Sequence, residues 1–92
     1  MNDYAINLVD IVHRMTSIEI QILDSLKNTA FFEGITIEDL LEENLSVKLT
    51  TLRNILSKLV FIGAVDYKIE LKTRYYYITS IGEDILDILS SL

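Results

Sequence analysis

The sequence predicts a mainly α-helical chain that carries one β-hairpin, which is an α+β fold class. Apolar residues recur at helical spacing in five segments of the chain. After Gly63 the pattern changes to an alternation of apolar and polar residues, which is typical of half-buried strands. A chain of 92 residues, 50% of them hydrophobic, has the size of one domain, expected here over residues 1–92.

Two helices are predicted in the first third of the chain. The first spans residues 3–15, with Asp3 as its cap, and is apolar on more than one side. Thr16 and Glu19 have the spacing of a capping box, in which the hydroxyl accepts from the third backbone N–H and the glutamate reaches back. They predict a second helix over 17–28. Its expected buried stripe is Ile18, Ile22, Leu23 and Leu26.

A helix, a tight turn and another helix are predicted in the middle of the chain. The segment NTAFFEG breaks the helical pattern at its glycine, and Ile35 is expected to form a short strand. A second capping signal starts at Thr36 and opens a helix over 37–44. After a turn, the next helix spans 48–62 and stops at a glycine. Its core stripe on a helical wheel is Leu49, Leu52, Ile55, Leu56, Leu59, Val60 and Ile62.

Two strands and a last helix follow. The segments AVDYKIELK and TRYYYIT predict a hairpin that turns around Leu71–Thr73, although neither Gly nor Asn-Gly marks the turn. The three tyrosines at 75–77 either form a stacking platform for single-stranded nucleic acid or serve as strand residues. The β-propensity of tyrosine favours the second interpretation, with Tyr76 buried. A third capping signal, from Ser80 to Glu83, opens a helix over 80–91.

Charge is distributed unevenly along this acidic chain, whose net charge is −6. Residues 1–47 hold nine acidic and two basic side chains, whereas residues 48–74 hold six basic and two acidic ones. Residues 75–92 again carry only acids. The exposed arc of the helix over 48–62 contains no carboxylate at all. This distribution predicts one basic face on an acidic body.

Several classes of function lack the residues that they need. The absence of cysteine excludes a disulfide scaffold, a thiolate zinc site and a cysteine nucleophile. Neither a phosphate-binding glycine loop nor a His–carboxylate motif is present, so we expect no enzyme, no cofactor and no metal. His13 is the only histidine and is expected to be an ordinary surface or interface residue. The acids Glu38, Asp39, Glu42 and Glu43 are read as a solvated helix face rather than a hard-cation site.

The N-terminal segment predicts neither export nor membrane insertion. It lacks the basic start of a signal peptide, and Asp10 and His13 interrupt an apolar run that is too short to span a bilayer. We therefore expect a cytoplasmic protein without a membrane partner.

The order of these elements resembles the winged helix-turn-helix family over roughly residues 17–83. The stretch ITIEDLLEENLSVKLTTLRNILSKLVFIGAV is similar to the family's helix, turn and recognition helix. RYYYITSIG is similar to its closing strand and the start of its last helix. The flanking helices are similar to those of MarR and PadR regulators, or of small archaeal and viral winged-helix proteins. The resemblance implies a winged helix-turn-helix fold with additional N- and C-terminal helices.

This resemblance implies that the helix over 48–62 enters the major groove of double-stranded DNA. Arg53 is the candidate for a bidentate contact to guanine and Asn54 for one to adenine. Cations of the helix and the hairpin are expected to neutralise phosphates. The full set of expected DNA contacts is Lys48, Thr50, Thr51, Arg53, Asn54, Ser57, Lys58, Lys68, Lys72 and Arg74.

The terminal helices, over 3–15 and 80–91, are the expected dimerisation elements. The predicted interface residues are Ile6, Val9, Val12, Ile81, Ile85, Ile88 and Leu92, although these helices can instead close over one core. A twofold homodimer predicts a palindromic operator, because it sets two recognition helices one DNA turn apart. With the resemblance, this favours a sequence-specific transcriptional regulator that acts by occupying its site. The alternative is an adaptor module in a transcription or replication complex that binds protein instead of DNA, which the sequence pI of about 4.5 favours.

Overall fold

Five helices and one antiparallel hairpin make up the computed structural model, which describes residues 3–29 and 34–91, with side chains over 8–28 and 34–91. The predicted mainly α class with a β-hairpin is confirmed. Residues 30–33 of the predicted break fall outside the described residues. The elements are α1 (Asp3–Arg14), α2 (Ser17–Thr29), α3 (Ile37–Glu43), α4 (Leu49–Phe61), β1 (Val65–Glu70), β2 (Thr73–Ile78) and α5 (Ser80–Ser91).

Hydroxyl caps start three of the helices. At α2 the capping box is complete: Glu19 N–H donates to Thr16 Oγ1 (3.2 Å) and Thr16 N–H donates to Glu19 Oε1 (2.9 Å). At α3 the hydroxyl of Thr36 accepts from Asp39 N–H at 3.2 Å, as predicted. The predicted cap of α5 was wrong by one residue, because Gly82 N–H donates to Thr79 Oγ1 and not to Ser80.

Helix α4 ends in a Schellman motif. Gly63 N–H donates to the carbonyl of Val60 and Ala64 N–H to that of Leu59, at 3.0 and 2.9 Å. The φ angle of Gly63 is +84°, in the left-handed region that disfavours a side chain. The predicted glycine stop is therefore confirmed, and it directs the chain from α4 straight into β1.

The hairpin pairs β1 with β2 from Val65 opposite Ile78 to Glu70 opposite Thr73. Only Leu71 and Lys72 connect the strands, with φ angles of +51° and +69°, so the turn is shorter than predicted. Two consecutive left-handed residues are typical of a type I′ turn, whose backbone matches the twist of the two strands.

The short strand predicted at Ile35 is also confirmed. Ile35 and Tyr76 exchange two backbone hydrogen bonds of 2.8 Å, which fastens the connection between α2 and α3 to the hairpin. Tyr76 is buried, as the strand interpretation of the tyrosines predicted, whereas Tyr75 and Tyr77 are half-buried.

A single apolar core lies between the helices and one face of the hairpin. Helix α2 is central: it packs against α3, α4, α5 and β2, while α1 packs against α5. The largest fully buried side chains are Ile22, Leu23, Leu40, Leu52, Leu56, Leu59, Val65 and Ile85. Two stripe residues were placed wrongly, since Ile18 is 43% exposed and Leu49 is 39% exposed. Both lie in the first turn of their helices, where the neighbouring elements do not cover them.

Candidate nucleic-acid interface

Helix α4 presents a polar face to solvent that contains no carboxylate. Its opposite face is fixed in the core, because Leu52, Ile55, Leu56 and Leu59 are all buried. The predicted base-contacting residues Arg53 and Asn54 are exposed, as are the predicted phosphate contacts Lys48, Thr50 and Ser57. Thr51 is half-buried.

The turn between α3 and α4 is organised by a buried amide. Asn44 is 3% exposed, and its Nδ2 donates to the carbonyl of Leu40 at 2.8 Å. Its Oδ1 accepts from Gln21 Nε2 at 2.8 Å and from Ser25 Oγ at 3.3 Å, both on α2. Its backbone carbonyl accepts from Val47 N–H at 2.9 Å. One residue therefore caps α3, closes the turn through its backbone carbonyl and fixes the turn to α2 through its side chain.

An ion pair ties α4 to the start of α2. Lys58 Nζ donates to Glu19 Oε2 at 2.8 Å, while the other carboxylate oxygen accepts from the capping N–H of Thr16. The Glu19 side chain is 9% exposed and that of Lys58 is 48% exposed. Burial alone would raise the pKa of Glu19, but the hydrogen bonds from Lys58 and Thr16 outweigh it and hold that pKa below its ordinary value. Lys58 thus has a partner within the protein, while about half of its side chain remains exposed.

A cationic groove of about 490 Å³ separates α4 from the hairpin. Its walls bring Arg53 and Ser57 of α4 together with Lys72 and Arg74, and one carboxylate, Glu38 of α3, also lines it. Residues predicted separately from the helix and from the hairpin therefore form one surface.

Arg74 is held in this groove by aromatic contacts. Its guanidinium lies 4.5 Å from the centroid of the Tyr67 ring, which in turn packs against Tyr76 at 5.6 Å between centroids. Hydrogen bonding to Tyr76 raises the pKa of Arg74 above its ordinary value, so its charge is constant. The sequence pattern gave no signal for this stacking, because it depends on the register of the hairpin. That register places Arg74 opposite Ile69, and therefore on the same face of the sheet as Tyr67.

Lys68 lies on the other face of the hairpin. It pairs with Tyr75 in the register, whereas Tyr67 and Arg74 belong to the face toward α4. Its ammonium is 3.5 Å from the carboxylate of Glu70. Of the predicted phosphate contacts, Lys58 and Lys68 are thus the two that form ion pairs among the described residues.

The residues predicted for a dimer interface separate into three groups. Val12 and Ile85 are 4% and 0% exposed and fill the core of this chain. Val9 is 45% exposed, and Ile81 and Ile88 are half-buried against the core. The remaining two, Ile6 and Leu92, lie outside the described side chains.

Within the described ranges, no group of three His, Asp or Glu side chains is arranged to hold a metal ion. Nor is any helix over these residues both long and apolar enough to cross a membrane.

Solved structures with a similar architecture include MarR and MepR proteins, two of them with DNA bound. A mutant MarR from E. coli superposes with a TM-score of 0.71 at 26% identity, over 82% of this chain and 54% of that one. The same protein complexed with operator DNA gives 0.74 at 24% identity, over 92% and 59%. S. aureus MepR bound to an oligodeoxyribonucleotide gives 0.75 at 14% identity, over 98% and 70%.

The fold is that of the MarR-type winged-helix regulators. The predicted resemblance is confirmed at the level of structure, and one of the similar structures is a MarR family transcription regulator by name. The chain spans little more than half the length of these two MarR chains, 54% and 59%. No protein-family model and no curated protein matches the sequence.

Proposed function

We propose that the chain binds double-stranded DNA in a sequence-specific manner and regulates transcription by occupying its site. The observation that carries the proposal is the continuous surface of α4 and the hairpin, where Arg53, Lys72 and Arg74 line one groove. An α-helix fits the major groove of B-DNA, and cations beside it neutralise phosphates. The similarity to MarR with operator DNA and to MepR with an oligodeoxyribonucleotide supports the same role. The proposed location is the cytoplasm.

Arg53 is the residue that we assign to base recognition. It lies on the exposed face of α4 and at the wall of the groove, and a guanidinium matches the two acceptors of guanine. Asn54 beside it is exposed and suits adenine. Lys48, Lys72 and Arg74 are assigned to phosphates, and none of them takes part in the ion pairs found among the described residues.

Selection of duplexes from a random pool, followed by affinity measurements on the selected site, tests this assignment. Arg53→Ala should weaken binding by about 1–3 kcal/mol and relax specificity at one base pair. Lys27→Ala is the matched control, because Lys27 is an exposed cation on α2, away from the groove. Equal effects of the two substitutions would show that only net charge matters and would refute the assignment of Arg53.

The proposed assembly is a homodimer in which α1 and α5 form the interface. Its contact residues are those that remain accessible, Val9 with the half-buried Ile81 and Ile88. Val9→Asp should shift the sedimentation coefficient to that of a monomer. Ile18→Asp is the control, since Ile18 is 43% exposed but lies on α2. A wild-type protein that sediments as a monomer at micromolar concentration would contradict the dimer.

The acidic face of α3 favours a second candidate, an adaptor that binds a protein partner. Glu38, Asp39, Glu42 and Glu43 are all exposed. If this face carries the function, reversal of Glu42 and Glu43 to lysine abolishes partner binding while Arg53→Ala leaves it unchanged. The DNA-binding proposal predicts the opposite: Arg53→Ala weakens binding of DNA, and reversal of Glu42 and Glu43 does not abolish it.

A further inference from the structure

The apex of the hairpin exposes a leucine in an unfavourable backbone conformation. The Leu71 side chain is 98% exposed, the highest value among the described large apolar side chains. Its φ angle of +51° and that of Lys72, +69°, lie in the left-handed region. Gly, Asn and Asp suit both positions of such a turn, whereas a leucine there is disfavoured. Neither burial nor turn preference within this chain accounts for Leu71.

Cations lie on both faces of the hairpin near this apolar apex, and the carboxylate of Glu70, which precedes Leu71, is 3.5 Å from the ammonium of Lys68. Lys72 and the start of β2 line the groove that also contains Arg53 and Arg74, so the turn is continuous with the proposed DNA-binding surface. Lys68 lies on the opposite face of the same hairpin. An apolar tip between cations is complementary to a nucleic-acid groove, in which two rows of phosphates border the apolar edges of stacked bases.

The hairpin ends in a tight turn. The connection contains only two residues, and both strands remain paired up to Glu70 and Thr73, so the apex is narrow. Minor-groove proteins use Leu, Ile or Phe wedges that partly unstack one base step and bend the duplex. Steps such as TA and CA unstack most easily.

We propose that Leu71 is an apolar wedge that enters the minor groove beside the α4 site and bends the DNA at a pyrimidine–purine step. The proposal rests on the proposed DNA-binding function and adds to it a residue that reads the deformability of DNA rather than its base edges. The left-handed turn holds Leu71 at the tip, and Lys72 and Arg74 hold the adjacent phosphates.

Leu71→Asn is the decisive variant, because asparagine suits a left-handed φ and removes the apolar group. The probe is a duplex selected from a random pool and labelled with fluorophores at both ends, so that energy transfer reports the bend. Wild-type protein should bend it by about 20–90°. Leu71→Asn should bind without bending and with about tenfold to hundredfold lower affinity, as expected for burial of one leucine. Its melting temperature should equal or exceed that of the wild type.

Two comparisons complete the test. Leu45→Asn removes another leucine, 88% exposed, that lies in the turn before α4, and it should leave the bend unchanged. Replacing the TA or CA step by a stiff step should weaken the wild type but not Leu71→Asn. If Leu71→Asn bends the duplex as the wild type does, the wedge is refuted while DNA binding stands. If wild-type protein binds no duplex at all, both proposals fail.

Discussion

The ion pair between Glu19 and Lys58 makes a prediction that distinguishes a structural cation from a DNA contact. Lys58→Met removes the ammonium and retains most of the side chain's apolar volume. It leaves a carboxylate that is 9% exposed without its charged partner, although Thr16 N–H still donates to it. We expect the folded state to be destabilised and the electrostatic contribution to DNA binding to remain unchanged.

The magnitude follows from the burial of the two groups. A hydrogen bond to a charged group contributes about 1.5–3 kcal/mol, whereas an exposed ion pair contributes about 0.2–1 kcal/mol. Because the carboxylate of Glu19 is buried and the ammonium of Lys58 is half-exposed, the expected loss is about 1–2 kcal/mol, intermediate between these two cases. For a domain of this size, that loss lowers the melting temperature by about 4–16 °C.

The loss should depend on pH in a defined direction. The pKa of Glu19 is lowered in the folded state, so the pair stabilises the protein above the ordinary glutamate pKa. That contribution disappears as the pH falls through the lowered value. The difference in unfolding free energy between wild type and Lys58→Met should therefore be complete at pH 7 and shrink below about pH 4. Urea denaturation of both proteins at pH 7 and at a pH below about 4 measures this difference.

Lys72→Met is the matched control, because Lys72 is exposed at the turn and lies outside the ion pairs of the described residues. It should leave the unfolding free energy unchanged and reduce the salt dependence of DNA binding by about 0.9 in log–log slope per protomer. Lys58→Met should show the reverse pattern. If Lys58→Met reduces the slope and leaves stability unchanged, Lys58 contacts a phosphate and the reasoning from its ion pair is refuted.

Three further predictions concern the elements that position the interface. Asn44→Ala leaves Gln21 and Ser25 without their acceptor and should cost about 1–3 kcal/mol of unfolding free energy, measured by urea denaturation. A loss below about 0.5 kcal/mol, which is the usual limit for a surface substitution, would contradict the network. Gly63→Ala places a side chain at a φ of +84° and should cost about 1–2 kcal/mol in the same assay, whereas an unchanged midpoint would contradict the Schellman stop. Tyr67→Leu removes the ring under Arg74 and should weaken DNA binding by about 0.5–1 kcal/mol in anisotropy titrations, and an unchanged affinity would show that the stacking does not position Arg74.

Local patterns in the sequence predicted most of the elements. Capping at Thr16 and Thr36 was predicted because the hydroxyl and its backbone partner are three residues apart. At the start of α5 two hydroxyls are adjacent, and the geometry selects Thr79, which also donates to the carbonyl of Gly63 at 2.6 Å. That long-range bond is the information that the local pattern lacked.

The contacts that shape the candidate site are nonlocal, and for that reason they were not predicted. Glu19 and Lys58 are 39 residues apart, and Gln21 and Asn44 are 23 apart. The wheel placed Lys58 on the exposed arc correctly but contained no information about which element lies beside it. The sequence did predict the cations that line the groove, since their clustering over residues 48–74 can be read from the order of the residues.

The salt dependence of binding to random-sequence duplex DNA tests the central claim most directly. The three cations assigned to phosphates, Lys48, Lys72 and Arg74, lie outside the ion pairs of the described part of the chain. Two protomers would then neutralise about six phosphates, and the log–log slope of affinity against salt should be about −5, or about −2.7 for one protomer. Anisotropy titrations from about 50 to 200 mM salt should show a loss of affinity of several powers of ten for the dimer. An affinity that does not change with salt, or no binding at 50 mM, the low end of that range, would contradict the assignment of this surface to DNA.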